Sequence, residues 1–202
     1  ALSLLSAIPG AEKAAGRFAG KFGRKGGQVL EAVVQRRGGV MTTSCGRLFD
    51  GVAALLGIGD RNSYEGELPS RLQAEAEKAR PQKLPYPYAI EKKSGMPVLN
   101  MLLAVEAMLA DKKSRAEKAG RFHLTLAHGM LDMAIHCAGA SGIRKAALSG
   151  GVFQNTLLLG MSRELFQKSG FQVLHHVLVP ANDGGISLGQ AALAAAKYRK
   201  EA

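Results

Sequence analysis

Hydrophobic and polar positions in the second half of the chain follow the patterns of alternating strands and helices. Short apolar runs predict strands over 143–149 and 171–179, and apolar residues spaced as on a helix occupy 156–168 between them. The inward-facing positions of that helix are Leu158, Met161 and Leu165. An Ala-rich helix is predicted over 186–197. This order is typical of an α/β fold.

The first half of the chain reads as mainly helical. Gly23 to Gly27 predicts a break, and Pro81 to Pro97 predicts a linker or a pair of edge strands. Helical spacing covers 11–22, 28–35, 46–58, 68–80, 101–113 and 116–139. We therefore divide the chain into a mainly helical portion, 1–97, and an α/β half-domain, 98–202.

The predicted helix 46–58 carries the first candidate binding residues. Thr42, Thr43 and Ser44 offer N-caps, and Leu48, Val52, Leu55 and Leu56 form one apolar stripe. Gly46 and Asp50 lie four residues apart on the opposite face. Asp50 could accept hydrogen bonds from a sugar diol while Gly46 leaves room for it. The alternative is an ordinary exposed acid on an amphipathic helix.

Two double-glycine turns provide further candidates. Ser149, Gly150 and Gly151 link a predicted strand to a helix that begins near Asn155, an arrangement that offers backbone N–H groups to a phosphate. The same glycines could also serve the turn alone. Asp183 precedes Gly184-Gly185 at the start of the last helix. Its carboxylate could cap that helix or bind a metal at the lip of a cleft.

Charge and composition limit the partners. The formal net charge of +11 and a pI near 9.9 suggest nucleic acid, but aromatic residues make up only 5% and there is no Trp to stack on bases. We expect a basic surface and no nucleic-acid partner.

No apolar run approaches the ~20 residues of a membrane span, and no basic segment precedes the apolar start, so neither membrane insertion nor a signal peptide is expected. Cys45 and Cys137 form no CxxC pair, which favours a reduced, cytoplasmic setting with Cys45 as a small buried thiol.

The histidines give a weaker signal. His128, Asp132 and His136 share one helix face, but no HExxH pattern or third strong ligand accompanies them, so we do not expect a metal there. His123 is expected to be packed. His175 and His176 fall on opposite faces of a strand and are not expected to act as a pair.

Four segments, in order, resemble one family: 43–57, 63–66, 148–155 and 179–190. They are similar to the C-terminal domain of the hydrogenase-maturation carbamoyltransferases, HypF. That domain resembles tRNA threonylcarbamoyladenosine synthases and O-carbamoyltransferases, and belongs with the actin/hexokinase/Hsp70-like (ribonuclease H-like) ATPases. The resemblance implies the C-terminal half of that α/β ATPase fold, preceded by a largely helical portion.

The resemblance also implies chemistry. In the family, carbamoyl phosphate and ATP yield carbamoyl-adenylate, and the carbamoyl group passes to the C-terminal cysteine of HypE. By motif, the nucleotide contacts would be Ser149, Gly150, Gly151 and Asn155. Gly46 and Asp50 would meet the ribose, and Asp183 would bind a divalent metal (Fe, Zn or Mg). No catalytic residue is assigned.

This sequence also departs from the family pattern. It contains no histidine pair matching the family's HxxxH metal motif, and none of the other HypF domains. We therefore expect the transferase activity to belong to the full-length protein and the isolated chain to be inactive. The alternatives are a relative that carbamoylates tRNA or a small molecule, a basic nucleic-acid-binding module, and a scaffold whose glycine turns are only turns. Phe153-Gln154-Asn155 favours the HypF branch.

Overall fold

The computed structural model describes residues 1–35 and 42–201, which form a mostly helical α/β structure. The first portion contains α1 (Leu2–Ser6), α2 (Glu12–Gly20), α3 (Gly23–Gln35), α4 (Cys45–Leu55) and α5 (Glu67–Ala76). A hairpin of β1 (Ala89–Lys93) and β2 (Met96–Asn100) leads to α6 (Leu102–Ala110) and α7 (Arg115–Ser141). The chain ends with β3 (Lys145–Leu148), α8 (Thr156–Lys168), β4 (Gln172–His175) and α9 (Ile186–Glu201).

The long helix α7 forms the centre of the core. It starts at a capping box between Ser114 and Glu117 and ends at Gly142, whose φ of 71° suits a left-handed C-cap. The largest core cluster draws on both predicted portions of the chain. It includes Phe49, Val52, Leu72, Met108, Phe122 and Leu158. Residues from 1–97 and from 98–202 therefore share one core.

The proline-rich segment before α6 is anchored at its start and ends in an antiparallel hairpin. The Tyr86 N–H donates to Thr125 Oγ1 at 2.8 Å, and the Arg121 guanidinium donates to the carbonyls of Leu84 and Pro85. The hairpin pairs Ala89 with Asn100. The predicted pair of strands is therefore present over 89–93 and 96–100, whereas 81–88 is a connecting segment.

The α/β part is a parallel pair of strands joined through α8. Lys145 pairs with Gln172, and Leu148 pairs with His175 at the other end. Helix α8 has the predicted bounds, and its Leu158 is fully buried. The second strand is shorter than predicted because residues 176–179 leave the sheet.

The break predicted at 23–27 is wrong. The glycines at 23–27 do not break the chain, because α3 runs from Gly23 to Gln35. A Cβ at Gly27 would lie 2.8 Å from the carbonyl oxygen of Ala19, so this glycine allows α2 and α3 to pack closely. In the described ranges, no helix is long and apolar enough to span a membrane.

Candidate functional site

The exposed face of α4 forms one wall of a cleft. Ser44 caps the helix by accepting a hydrogen bond from the Arg47 N–H, as predicted, and the buried side chain of Phe49 anchors the helix in the core. Gly46 lies on the cleft side. A Cβ there would meet only Ser44 Oγ, at 3.8 Å, so packing within the chain does not require a glycine at this position. The absence of a side chain leaves open space in the cleft.

Asp50 is held in place by a residue that sequence analysis missed. Asn62 Nδ2 donates to Asp50 Oδ1 at 3.0 Å, while Asn62 Oδ1 accepts from the Leu68 N–H at 2.9 Å. The Arg47 guanidinium lies 4.0 Å from the other carboxylate oxygen. Asn62 thus links α4 to the start of α5. An Asn shortly before a predicted helix is the signal that could have found it.

The double-glycine turn forms a second wall. Gly150 has φ +99°, a conformation that favours glycine, and its N–H donates to the Ala181 carbonyl at 2.9 Å. Gly151 begins a short 3₁₀ turn, Gly151–Gln154. A Cβ on Gly151 would lie 3.9 Å from Asn182 Cβ, so the turn keeps an open backbone surface beside the cleft.

The side chain of Asn155 serves the fold. Its Oδ1 caps α8 by accepting from the Leu158 N–H at 2.9 Å, so its Nδ2 donates to His123 Nε2 at 2.9 Å. His123 Nδ1 then donates to the Ala119 carbonyl at 2.7 Å. Asn155 lines the cleft but is 9% exposed, with both ends of its amide engaged.

His123 is packed, as the sequence predicted. It is fully buried, and its ring packs edge-on against Phe49. Burial lowers the pKa of His123 to about 4, because the interior disfavours the imidazolium. The Asn155 amide also requires a neutral Nε2 acceptor, so the hydrogen bonds and the pKa agree on a neutral ring protonated at Nδ1.

Asp183 lies on the remaining side of the cleft. The predicted N-cap role belongs to its neighbour, because Asn182 Oδ1 accepts from the Gly184 N–H at 3.1 Å. Asp183 is exposed, and within residues 1–35 and 42–201 no hydrogen bond or ion pair engages its carboxylate. Gly185 is required sterically, since a Cβ there would lie 2.7 Å from the Pro180 carbonyl oxygen.

These walls enclose a cleft of about 950 Å³. Five of the predicted site residues line it: Gly46, Asp50, Gly151, Asn155 and Asp183. Ser149 and Gly150 are exposed but are not among the lining residues, and the Ser149 hydroxyl is 2.8 Å from His176 Nε2. The lining also includes Tyr64, Glu65 and Gln154. Its charged residues are Arg47, Asp50, Glu65 and Asp183, so carboxylates outnumber the guanidinium.

The other candidate residues do not form a site. Asp132 accepts a hydrogen bond from the Tyr88 hydroxyl, and the part of the chain that the structure describes holds no group of three His, Cys, Asp or Glu placed for a metal. Burial raises the pKa of Cys45 to about 11, so its thiol stays protonated at neutral pH. The sequence predicted a buried thiol, whereas the structure leaves Cys45 half-buried.

Comparison with known proteins places the chain in a family. Residues 1–190 match the family model described as the carbamoyltransferase Kae1-like domain, second subdomain. The chain belongs to the HypF family. This membership confirms the predicted fold class, since the match is to a Kae1-like second subdomain.

HypF proteins from several organisms are similar to this chain. It is 32% identical over 162 residues to the carbamoyltransferase HypF of Synechocystis sp., covering 80% of this chain and 20% of the relative. It is 38% identical over 159 residues to HypF of Rhodobacter capsulatus, covering 78% of this chain and 20% of that relative. This chain thus spans about a fifth of the length of these HypF relatives.

Solved HypF structures share the fold. Full-length HypF in its phosphate- and nucleotide-bound form matches with a TM-score of 0.78 at 31% identity, covering 88% of this chain and 24% of that one. T. kodakarensis HypF also matches with a TM-score of 0.78, at 26% identity, covering 95% and 26%. All four segments that carried the sequence resemblance contribute lining residues to the cleft.

Proposed function

We propose that this chain provides one side of the nucleotide site in a HypF-type carbamoyltransferase of [NiFe]-hydrogenase maturation. The observation that carries the proposal is the cleft itself, where Gly46 and Asp50 meet Gly151 and Asp183 from distant parts of the sequence. The carbamoyltransferase relatives and the nucleotide-bound HypF structure support it.

We infer the following orientation for an adenylate in the cleft. The ribose lies against α4, where Gly46 provides space and the Asp50 carboxylate, oriented by Asn62, accepts hydrogen bonds from the diol. The phosphate lies against the glycine turn, where the open Gly151 backbone allows close approach at the start of the segment that leads into α8.

A divalent cation fits the charge of this site, but this chain supplies only part of its ligands. Three carboxylates and one guanidinium line the cleft, so a polyphosphate needs added positive charge to bind there. Asp183 has an unengaged carboxylate, a suitable oxygen ligand for a cation near the phosphates. One carboxylate alone binds a cation weakly, so we assign the remaining ligands to the nucleotide and to other parts of a complete HypF protein.

For the complete protein we propose the carbamoyl transfer that the resemblance to HypF implies. Carbamoyl-adenylate, formed from carbamoyl phosphate and ATP, transfers its carbamoyl group to the C-terminal cysteine of a HypE-type acceptor in the cytoplasm. The cysteine sulfur bonds to the carbamoyl carbon, its proton is released, and the bond to AMP breaks. The residues of this chain hold and orient the adenylate during that exchange.

Calorimetric titration tests the proposal. ATP with Mg²⁺ is titrated into this chain and into a complete HypF-type protein carrying this subdomain. We expect clear binding by the complete protein, little by the isolated chain, and weaker binding by Asp50→Ala and Asp183→Ala variants of the complete protein. Asp60→Ala is the matched control, because Asp60 pairs with Lys21 and does not line the cleft.

Two results would contradict the proposal. Equal ATP affinity of the isolated chain and the complete protein would contradict the proposal that other parts of a complete HypF protein contribute to the site. Unchanged carbamoyl transfer to the acceptor by Asp183→Ala would favour a scaffold, in which the glycine turns have no ligand.

A further inference from the structure

We propose that His176 is a positioning residue for the nucleotide turn and acts through the Ser149 hydroxyl. This inference rests on the proposed nucleotide site. Ser149 Oγ and His176 Nε2 are 2.8 Å apart, and neither residue lines the cleft. Both side chains are exposed and His176 lines a separate, smaller pocket, so the pair lies beside the cleft. From there it can set the shape of the glycine turn without touching a ligand in the cleft.

The register of the sheet explains why this pair forms. The last paired residues of β3 and β4 are Leu148 and His175, so the next rung of the ladder would join Ser149 to His176. Backbone pairing stops there because Gly150 turns away with φ +99°. The two side chains form a hydrogen bond at that position instead, and the Gly150 N–H then donates at 2.9 Å to the carbonyl of Ala181, farther along the loop that follows β4.

This placement connects both ligand-facing loops. One leads from Ser149 to Gly151, and the other leads from His176 to Asp183. Both leave the sheet at the carboxyl ends of parallel strands, where α/β proteins commonly bind ligands. The Ser149–His176 pair is thus placed to fix the separation of the glycine turn from the Asp183 carboxylate.

His175 provides a matched control on the neighbouring position. Its Nδ1 lies 3.0 Å from the backbone carbonyl of His176 and does not contact Ser149. Replacing His175 removes a neighbouring imidazole while leaving the hydrogen bond between Ser149 and His176 intact.

The test measures ATP affinity, with Mg²⁺, in a complete HypF-type protein carrying this subdomain. A net hydrogen bond is worth about 0.5–1.5 kcal/mol, so we expect His176→Ala to raise the Kd by about two- to tenfold. His176→Gln, which can keep a polar partner for Ser149, should recover most of the affinity, and His175→Ala should bind as the wild type does. A double-mutant cycle with Ser149→Ala should show that the double variant binds no more weakly than either single variant.

The outcomes separate this inference from the proposed function. Absence of ATP binding by the wild-type complete protein would refute the proposed function and the inference together. Normal wild-type binding with unchanged affinity in His176→Ala would overturn the inference alone. Additive losses in the cycle would show that His176 does not act through Ser149.

Discussion

A single buried histidine fixes the junction between α7 and α8. His123 and Asn155 are hydrogen-bonded in a direction set by the cap of α8, so Nε2 of His123 must remain an acceptor. The sequence predicted a packed His123 but assigned Asn155 to the nucleotide. Sequence spacing cannot reveal the contact between them, because 32 residues separate the two side chains.

This histidine makes the stability of the protein depend on pH. The pKa of His123 falls from 6.5 to about 4 on folding. Between these values the unfolded chain binds a proton that the folded chain refuses, so the free energy of unfolding decreases as pH falls, by at most about 1.4 kcal/mol per pH unit from this group. Urea denaturation at pH 7 and pH 5 should show a lower midpoint at pH 5.

His123→Leu is the variant that tests whether His123 causes this pH dependence. It should be less stable at pH 7, because the Asn155 amide loses its acceptor, but its midpoint should change less between pH 7 and pH 5 than that of the wild type. An equal pH dependence in both proteins would show that other groups cause the effect.

At the scale of elements, short-range sequence signals predicted the bounds and cap of a single helix but missed contacts between helices. Helix α8 has its predicted bounds because Asn155 caps it and its apolar spacing is regular. The break predicted at 23–27 failed because Gly27 is a packing position, set by the carbonyl of Ala19 on another helix. The stripe predicted on α4 omitted Phe49, although Phe49 is 1% exposed against Phe122 and His123.

Two glycines on α7 should respond oppositely to the same substitution. A Cβ at Gly129 would lie 2.6 and 2.8 Å from the two methyl groups of Leu99 on β2, whereas a Cβ at Gly139 meets nothing within 4 Å. We expect Gly129→Ala to destabilise the protein by about 1–3 kcal/mol through overpacking, and Gly139→Ala to stabilise it by up to about 1 kcal/mol through helix propensity. Thermal and urea denaturation check both; a stabilised Gly129→Ala variant would show that the hairpin does not rest on α7.

The link between α4 and α5 gives a prediction that separates stability from binding. Asn62→Ala removes both the bond to Asp50 and the bond to the Leu68 N–H, so it should lower stability by about 1–2 kcal/mol and weaken nucleotide binding. Asn62→Asp keeps an acceptor for Leu68 but places a second carboxylate beside Asp50. It should therefore retain more stability than Asn62→Ala while still losing affinity. Urea midpoints and ATP titration of both variants in a complete HypF-type protein check this, and full affinity in Asn62→Asp would contradict the role given to Asn62.

At the scale of the whole molecule, one region outside the main core exposes many large apolar side chains. The helices from α4 to α8 share the main core, whereas the region around β4 and α9 exposes large apolar side chains. These include Leu174, Val177, Leu178, Ile186, Leu188, Leu193 and Tyr198. A two-stranded parallel sheet is also unusual by itself, because parallel sheets are normally covered on both faces. The cleft is open in a comparable way: the carboxylates of Glu65 and Asp183 have no hydrogen-bond or ion-pair partner among the described residues, which also hold no cluster of metal ligands.

The incompleteness predicts where the isolated chain is least stable. Residues 186–199 of α9 are all exposed, and a helix of about this length without tertiary packing is marginal in water. We expect the amide hydrogens of 186–199 to exchange rapidly in the isolated chain, while those of α7 exchange slowly because they lie in the core. In a complete HypF-type protein the apolar side chains of α9 should be covered, and the same amides should gain protection. Hydrogen-exchange mass spectrometry on both proteins measures the difference, with peptides from α7 as the internal reference. Equal, slow exchange of α9 in the two proteins would show that this helix is stable without a cover, and the exposed apolar surface would then have no structural role in the larger protein.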